Sequence, residues 1–122
     1  MTKNFEKSKN STNLLIFHKA MGIYRGCQRL FPGSHLPHLY IGMEYLRTNN
    51  LETAMLSFQK ANEINPEDPI VFNEIGVTFY KKKDYVRANE NFVKAIRLCS
   101  DAADWILEDI LCNLAHSFRK MG

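Results

Sequence analysis

The sequence predicts an all-α fold, a line of antiparallel helix pairs stacked as a solenoid. Two observations predict it. Chemically matched residues recur at a constant offset of 34, and within each unit the apolar residues fall three and four apart, the spacing of one helical face. Gly42 and Gly76 stand one offset apart, as do Ala54 and Ala88, Phe58 and Phe92, and Ala61 and Ala95. Ile41 pairs with Ile75 in the same way, and aromatic Tyr45 with aromatic Phe79.

A helical period of 34 is that of the tetratricopeptide repeat (TPR), a helix–turn–helix unit with helices A and B. Residues 1–12 are polar, without the apolar stretch of a signal peptide, and are expected to be disordered. The array then runs over 13–122. A half repeat, 13–34, supplies a helix B at 13–30, because Ala20, Tyr24, Cys27 and Pro32 lie one offset before Ala54, Phe58, Ala61 and Pro66. The full repeat 35–68 places helices at 35–48 and 51–64, and the full repeat 69–102 places them at 69–82 and 85–98. A last half repeat, 103–122, is a helix A at 103–120: Leu114, Ala115 and Phe118 repeat the spacing of Ile41, Gly42 and Tyr45. Ala115 follows Gly76 by 39 residues, so about five are inserted between Ser100 and Trp105, and Ser100 stands where a proline is expected. Gly122 falls at the A-to-B turn, which ends the chain within a repeat.

Each recurring residue has a mechanical role. Small side chains at Gly42 and Gly76 let helix A approach helix B, and Ala54, Ala61, Ala88 and Ala95 do the same from helix B. Tyr45, Phe58, Phe79 and Phe92 fill the space that remains. Pro66 ends a helix B, since proline lacks the backbone donor a helix interior needs. Asp68 suits the next N-cap, Pro69 the first turn that follows it, and Ser34 is the candidate cap one repeat earlier. On the last helix, Trp105, Leu107, Leu111, Leu114 and Phe118 form an apolar stripe with nothing after it to cover it. That stripe is a candidate surface for a partner or for self-association.

Composition narrows the function classes. The net charge of +3, from 16 basic and 13 acidic residues, gives no footprint for nucleic acid or an anionic membrane. No apolar run reaches the ~20 residues of a membrane span. Three well-separated cysteines, Cys27, Cys99 and Cys112, read as reduced thiols of an intracellular protein of the nucleus or cytoplasm.

No catalytic constellation emerges, and no cofactor is expected. His35 and His38 could share a helical face, and Cys112 and His116 lie four apart, but each pair lacks the further ligands of a metal site. Both pairs read as ordinary surface side chains. Lys81, Lys82 and Lys83 fall in an A-to-B turn and read as solvated.

The A helices of such a stack line its concave side. Repeat positions two, five, nine and twelve face it: Leu36, Leu39, Met43 and Leu46, then Ile70, Asn73, Val77 and Tyr80, then Asp109, Cys112, His116 and Arg119. The Leu and Met side chains among them are candidates either for the groove or for the core, because neighbouring repeats touch. Asn73 could offer both a donor and an acceptor to a peptide backbone. TPR domains that bind chaperone tails use Lys, Asn and Arg on these faces to clamp a terminal carboxylate. Leu39, Met43, Val77 and Asp109 stand there instead, so a peptide with apolar side chains, or a helix, is the better fit.

The runs GSHLPHLYIGMEYLRTNN (33–50) and PEDPIVFNEIGVTFYKKKDY (66–85), with the Trp105, Asn113-Leu114-Ala115-His116 and Arg119-Lys120 pattern, go beyond the general repeat. Over about residues 20–122 the sequence resembles the TPR subunits of the anaphase-promoting complex (cyclosome), of the cell-division-cycle-sixteen or Cut-nine type. The resemblance implies a non-catalytic scaffold in a mitotic ubiquitin ligase. It also implies protein partners: other complex subunits, and a small accessory subunit whose N-terminal segment lies in the concave groove. The groove-lining residues it implies are Leu39, Met43, Asn73, Val77, Tyr80 and His116. Family members carry many more repeats and homodimerise through N-terminal repeats not found here, so the chain reads as a reduced relative or a fragment. The alternative is a TPR adaptor in another assembly, in transport or with a chaperone.

Overall fold

A computed structural model describes residues 2–100 and 104–122. Six helices follow in order among them: α1 (Thr2–Leu30), α2 (Leu36–Arg47), α3 (Leu51–Ile64), α4 (Pro69–Lys81), α5 (Tyr85–Leu98) and α6 (Asp104–Met121). The five predicted helices after residue 34 are present within one residue at each end. The insertion expected between Ser100 and Trp105 centres on 101–103 and lies outside the described residues. At the other end α1 continues back to Thr2, through the segment expected to be disordered. No proline or glycine interrupts 2–21, so the backbone of this stretch meets no helix breaker.

Each helix packs on the next, and α4 also touches both α2 and α6 directly. Among the described residues α1, α3 and α5 make no such contacts with each other. The A helices are therefore crowded together on the inside of the stack and the B helices are splayed on the outside. That asymmetry curves the solenoid and makes its A-helix side concave.

The reason for the tight A/B pairing is visible at the glycines. A Cβ at Gly42 would lie 2.5 Å from Phe58 Cε1, and a Cβ at Gly76 would lie 2.5 Å from Phe92 Cε1. The two rings thus occupy the volume a side chain would need. Phe58 is fully buried among Ala54, Ala61, Leu39, Leu46 and Val71, and Phe92 among Ala88, Ala95, Ile106 and Ile110. Each such ring contributes about 2–3 kcal/mol of burial.

The turns repeat as faithfully as the cores. Asn50 N–H donates to Tyr45 O at 2.8 Å, and Asp84 N–H to Phe79 O at 3.0 Å, closing the six-residue loop that ends a helix around a left-handed residue. That residue is Asn49 (φ 63°) in the first turn and Lys83 (φ 65°) in the second. Asp68 caps α4 as expected, its Oδ1 accepting from Ile70 N–H at 2.9 Å. Ser34 Oγ accepts from Leu36 N–H at 3.3 Å, although the cap position itself is His35.

Candidate functional site

Three helices from three successive repeats face one another across a concavity of about 580 Å³. Leu36, Leu39, Tyr40 and Met43 come from α2, and Ile70, Asn73, Glu74 and Val77 from α4. Trp105, Ile106, Asp109, Cys112, Asn113 and His116 come from α6. The period of the repeat puts them there, since equivalent positions of successive A helices must share the inner face. A smaller recess of about 210 Å³ adjoins it, lined by Val77, Tyr80, Lys81, Phe92, Asn113 and His116.

Five of the six residues predicted for the groove, Leu39, Met43, Asn73, Val77 and His116, line the main concavity, and Tyr80 lines the recess. Their availability differs. Leu39 is 1% exposed and Asn73 4% exposed, so they form the floor of the trough. Asn73 Oδ1 already accepts from Asn113 Nδ2 at 3.0 Å. It joins two A helices, and the expectation that it stands ready for a peptide backbone needs correcting. The cause is the direct contact between neighbouring A helices, which closes over the central position of each inner face. Leu46, placed on the same face by spacing, is buried in the core against the α2/α3 pair. Trp105 departs in the opposite sense. Sequence placed it in the uncovered C-terminal stripe, whereas the structure puts it at the groove wall, two-thirds exposed.

Glu74 was missed by the sequence reading. Its carboxyl group lies in the groove wall between apolar neighbours, and burial pushes its pKa up to about 7, with Lys81 pulling weakly the other way. Near neutral pH this group can act as a hydrogen-bond donor or as a charged acceptor. The signal in the sequence was a glutamate one residue beyond Asn73 in the NEIGV run, on a helix otherwise apolar on that side.

The candidate metal pairs do not extend into sites. His35 Nε2 donates to Asp68 Oδ2 at 2.7 Å, linking the starts of two successive A helices. His38 Nδ1 accepts from Gln28 Nε2 at 3.2 Å, and burial, with Lys60 nearby, lowers its pKa. Cys112 and His116 both line the concavity. Among the described residues no three His, Cys, Asp or Glu side chains converge as ion ligands. Of the lysine run, Lys82 Nζ reaches Glu52 at 2.7 Å and Lys81 Nζ reaches Leu46 O at 3.4 Å. No described helix is long and apolar enough to cross a membrane.

Residues 40–68 match the tetratricopeptide repeat family model. Anaphase-promoting complex subunit 6 of Arabidopsis thaliana is 46% identical over 103 residues, which is 84% of this chain and 19% of that protein. Anaphase-promoting complex subunit CDC16 of Saccharomyces cerevisiae is 37% identical over 106 residues, 85% of this chain and 13% of its own length. The chain belongs to the TPR family, on its CDC16/Cut9 branch. The crystal structure of the APC/C hetero-tetramer Cut9–Hcn1 contains a chain that superposes with a TM-score of 0.77 at 31% identity, over 86% of this chain and 21% of that one. The TPR chain described here therefore spans less than a fifth of the first curated relatives it matches. The matched family model covers α2 from Tyr40 onward, including Met43 of the trough, together with α3.

Proposed function

We propose that this chain is a non-catalytic scaffold segment of an anaphase-promoting-complex type ubiquitin ligase, acting in the nucleus or cytoplasm, and that its groove holds an extended segment of a small accessory subunit. The kinship with the CDC16/Cut9 subunits supports the first part. The observation that carries the second is the trough itself. Three consecutive repeats contribute apolar side chains to one open channel, with Met43 and Val77 on its walls and Trp105 at its edge. Apolar walls supply affinity for side chains, and the carboxyl group of Glu74 supplies a polar fixing point. Cut9, which the chain resembles, assembles with Hcn1 in a hetero-tetramer.

The test is a pull-down from cell extract with the tagged chain, quantified for cyclosome subunits. Wild type is expected to retain them. Met43→Glu and Trp105→Ala are expected to lose roughly tenfold or more of the recovery, as the removal of a central anchor does. Trp105 is exposed, so its truncation leaves the fold intact, and helical circular dichroism checks both variants. Chaperones or transport factors recovered in place of cyclosome subunits, or equal recovery by all three proteins, would sink the proposal.

A further inference from the structure

The charge in the trough is of one sign. Two carboxyl groups line it, Glu74 from α4 and Asp109 from α6, and among its described lining residues there is no Lys or Arg. Asp109 is exposed, whereas Glu74 is half-buried, with Ile70 and Val77 one turn away on either side of it along α4. Among the described residues no hydrogen bond or ion pair reaches the Glu74 carboxyl group. Lys81 acts on it only weakly, and its own Nζ donates to Leu46 O at 3.4 Å. The other titratable groups lining the trough are Tyr40 on α2 and Cys112 and His116 on α6, while α3 and α5 contribute none. A carboxylate drawn out of water without a partner is costly, and its unmet charge is complementary to an opposite one. Apolar walls around the two carboxyl groups concentrate their field along the trough.

Building on the groove reading, we propose that the segment held in the trough presents a cationic side chain, arginine or lysine, to Glu74 and Asp109, with its apolar neighbours against Met43 and Val77. The aliphatic stem of such a side chain suits the apolar walls while its charged head reaches a carboxylate. Arginine fits best, because its planar fork bonds a carboxylate through two N–H groups at once. The exposed ring of Trp105 offers the guanidinium a further surface at the edge. A neutral side chain at the same place leaves Glu74 unpaired, and an acidic one sets like charges together, so the trough selects against both. The pairing carries a pH signature. Burial holds the pKa of Glu74 at about 7, and only the ionised form attracts a cation. The preference for a cation must therefore strengthen as pH rises toward 7 and level off above it.

Retention of peptide libraries on the immobilised chain tests the proposal. The peptides are acetylated, amidated heptamers whose flanking positions are mixtures of Ala, Leu, Met and Val. Their central residue is arginine, its neutral isostere citrulline, or glutamate. At about pH 8 the arginine library is expected to be retained about tenfold better than the citrulline library, and the glutamate library least of all. The gap between arginine and citrulline is expected to shrink several-fold at about pH 5.5, below the pKa of Glu74. Glu74→Gln should abolish most of the gap at either pH, and Asp109→Asn, at an exposed position, should reduce it about twofold. His116→Gln should keep the pH dependence, which excludes the imidazole as its source. Trp105→Ala should lower the retention of every library, which places the peptides in the trough. Equal retention of arginine and citrulline peptides overturns the cation preference and leaves the groove reading standing. An arginine preference that survives Glu74→Gln, or that does not change with pH, overturns the assignment to Glu74. Failure to retain any library overturns the groove reading together with the cation preference.

Discussion

Replacing Gly76 with alanine should destabilise the protein, although alanine is the better helix former. The new Cβ would lie 2.5 Å from Phe92 Cε1, 2.6 Å from Cδ1 and 3.0 Å from Cζ. Carbon atoms in contact settle near 3.5–4.0 Å, so the ring must retreat by about 1 Å. Phe92 has little freedom to do so, being 1% exposed and enclosed by Ala88, Ala95, Ile106 and Ile110. Overpacking of this kind costs about 2–3 kcal/mol, and helix propensity returns about 1, leaving a net loss of about 1–2 kcal/mol. Urea unfolding followed by circular dichroism should place the midpoint lower by roughly 0.5–1 M at unchanged slope. The same molecule provides two controls. Gly42→Ala meets Phe58 at identical distances and should lose a similar amount. Gly22→Ala, exposed within α1 with nothing within 4 Å of its Cβ, should gain about 0.5–1 kcal/mol. The pair Gly76→Ala with Phe92→Leu should be less damaged than the sum of its parts. If Gly76→Ala and Gly22→Ala shift the midpoint in the same direction, ring-into-glycine packing is not what sets the A/B spacing.

Two further substitutions probe the groove wall and the turn. Glu74 has a folded pKa of about 7 against 4.5 for the free side chain, so folding holds its proton longer than the unfolded chain does. The resulting penalty is absent below pH 4.5, grows between 4.5 and 7, and is complete above 7. Glu74→Gln should therefore leave stability unchanged at pH 4, raise it by about 2–3 kcal/mol at pH 8, and flatten the decline between them. A decline of the same size in both proteins would show that Glu74 is not its source. Lys83 sits at φ 65°, where glycine pays no steric cost. Lys83→Gly should raise the thermal midpoint by roughly 2–5 °C, corresponding to about 1 kcal/mol, whereas the same change at Asn49, a residue type at home in that region, should gain much less. Equal responses at the two turns would refute that difference.

What was legible in the sequence was whatever repeats. A Gly–Phe pair recurring at one offset specifies a steric fit, and the fit fixes which faces of helices A and B meet, so the helices and their partners followed from spacing alone. Ser34 and Asp68 were readable for the same reason, since both accept from the amide two residues on. The inner surface was less legible because it depends on distances between repeats, which no single period encodes. Leu39 and Asn73 occupy groove-facing positions in the pattern, yet the closeness of α2, α4 and α6 buries them. Trp105 was legible in principle, since it stands four residues before Asp109 on the same helix and so shares its groove-facing side. Glu74 gave no periodic signal; its character comes from desolvation by neighbours on other helices.

The same crowding explains why the trough can serve as a binding surface. Asn113 Nδ2 donates to Asn73 Oδ1 across α4 and α6, and Leu39 seals the floor, so the inner wall is held together before any partner arrives. A partner then does not have to organise the groove. What remains accessible is Trp105, Leu36, Tyr40, Asp109, Cys112 and His116 toward the rim, with half-buried Met43, Val77 and Glu74 on the walls. Binding energy should therefore concentrate in side chains near the rim, while substitutions at Asn73 should act first on the alignment of α4 with α6. Truncating Asn73 would leave Asn113 without its acceptor in a half-buried position, at a cost to stability of about 1–3 kcal/mol. Reduced partner binding by Asn73→Ala must for that reason be compared with its unfolding midpoint, whereas Trp105→Ala reports on the groove directly.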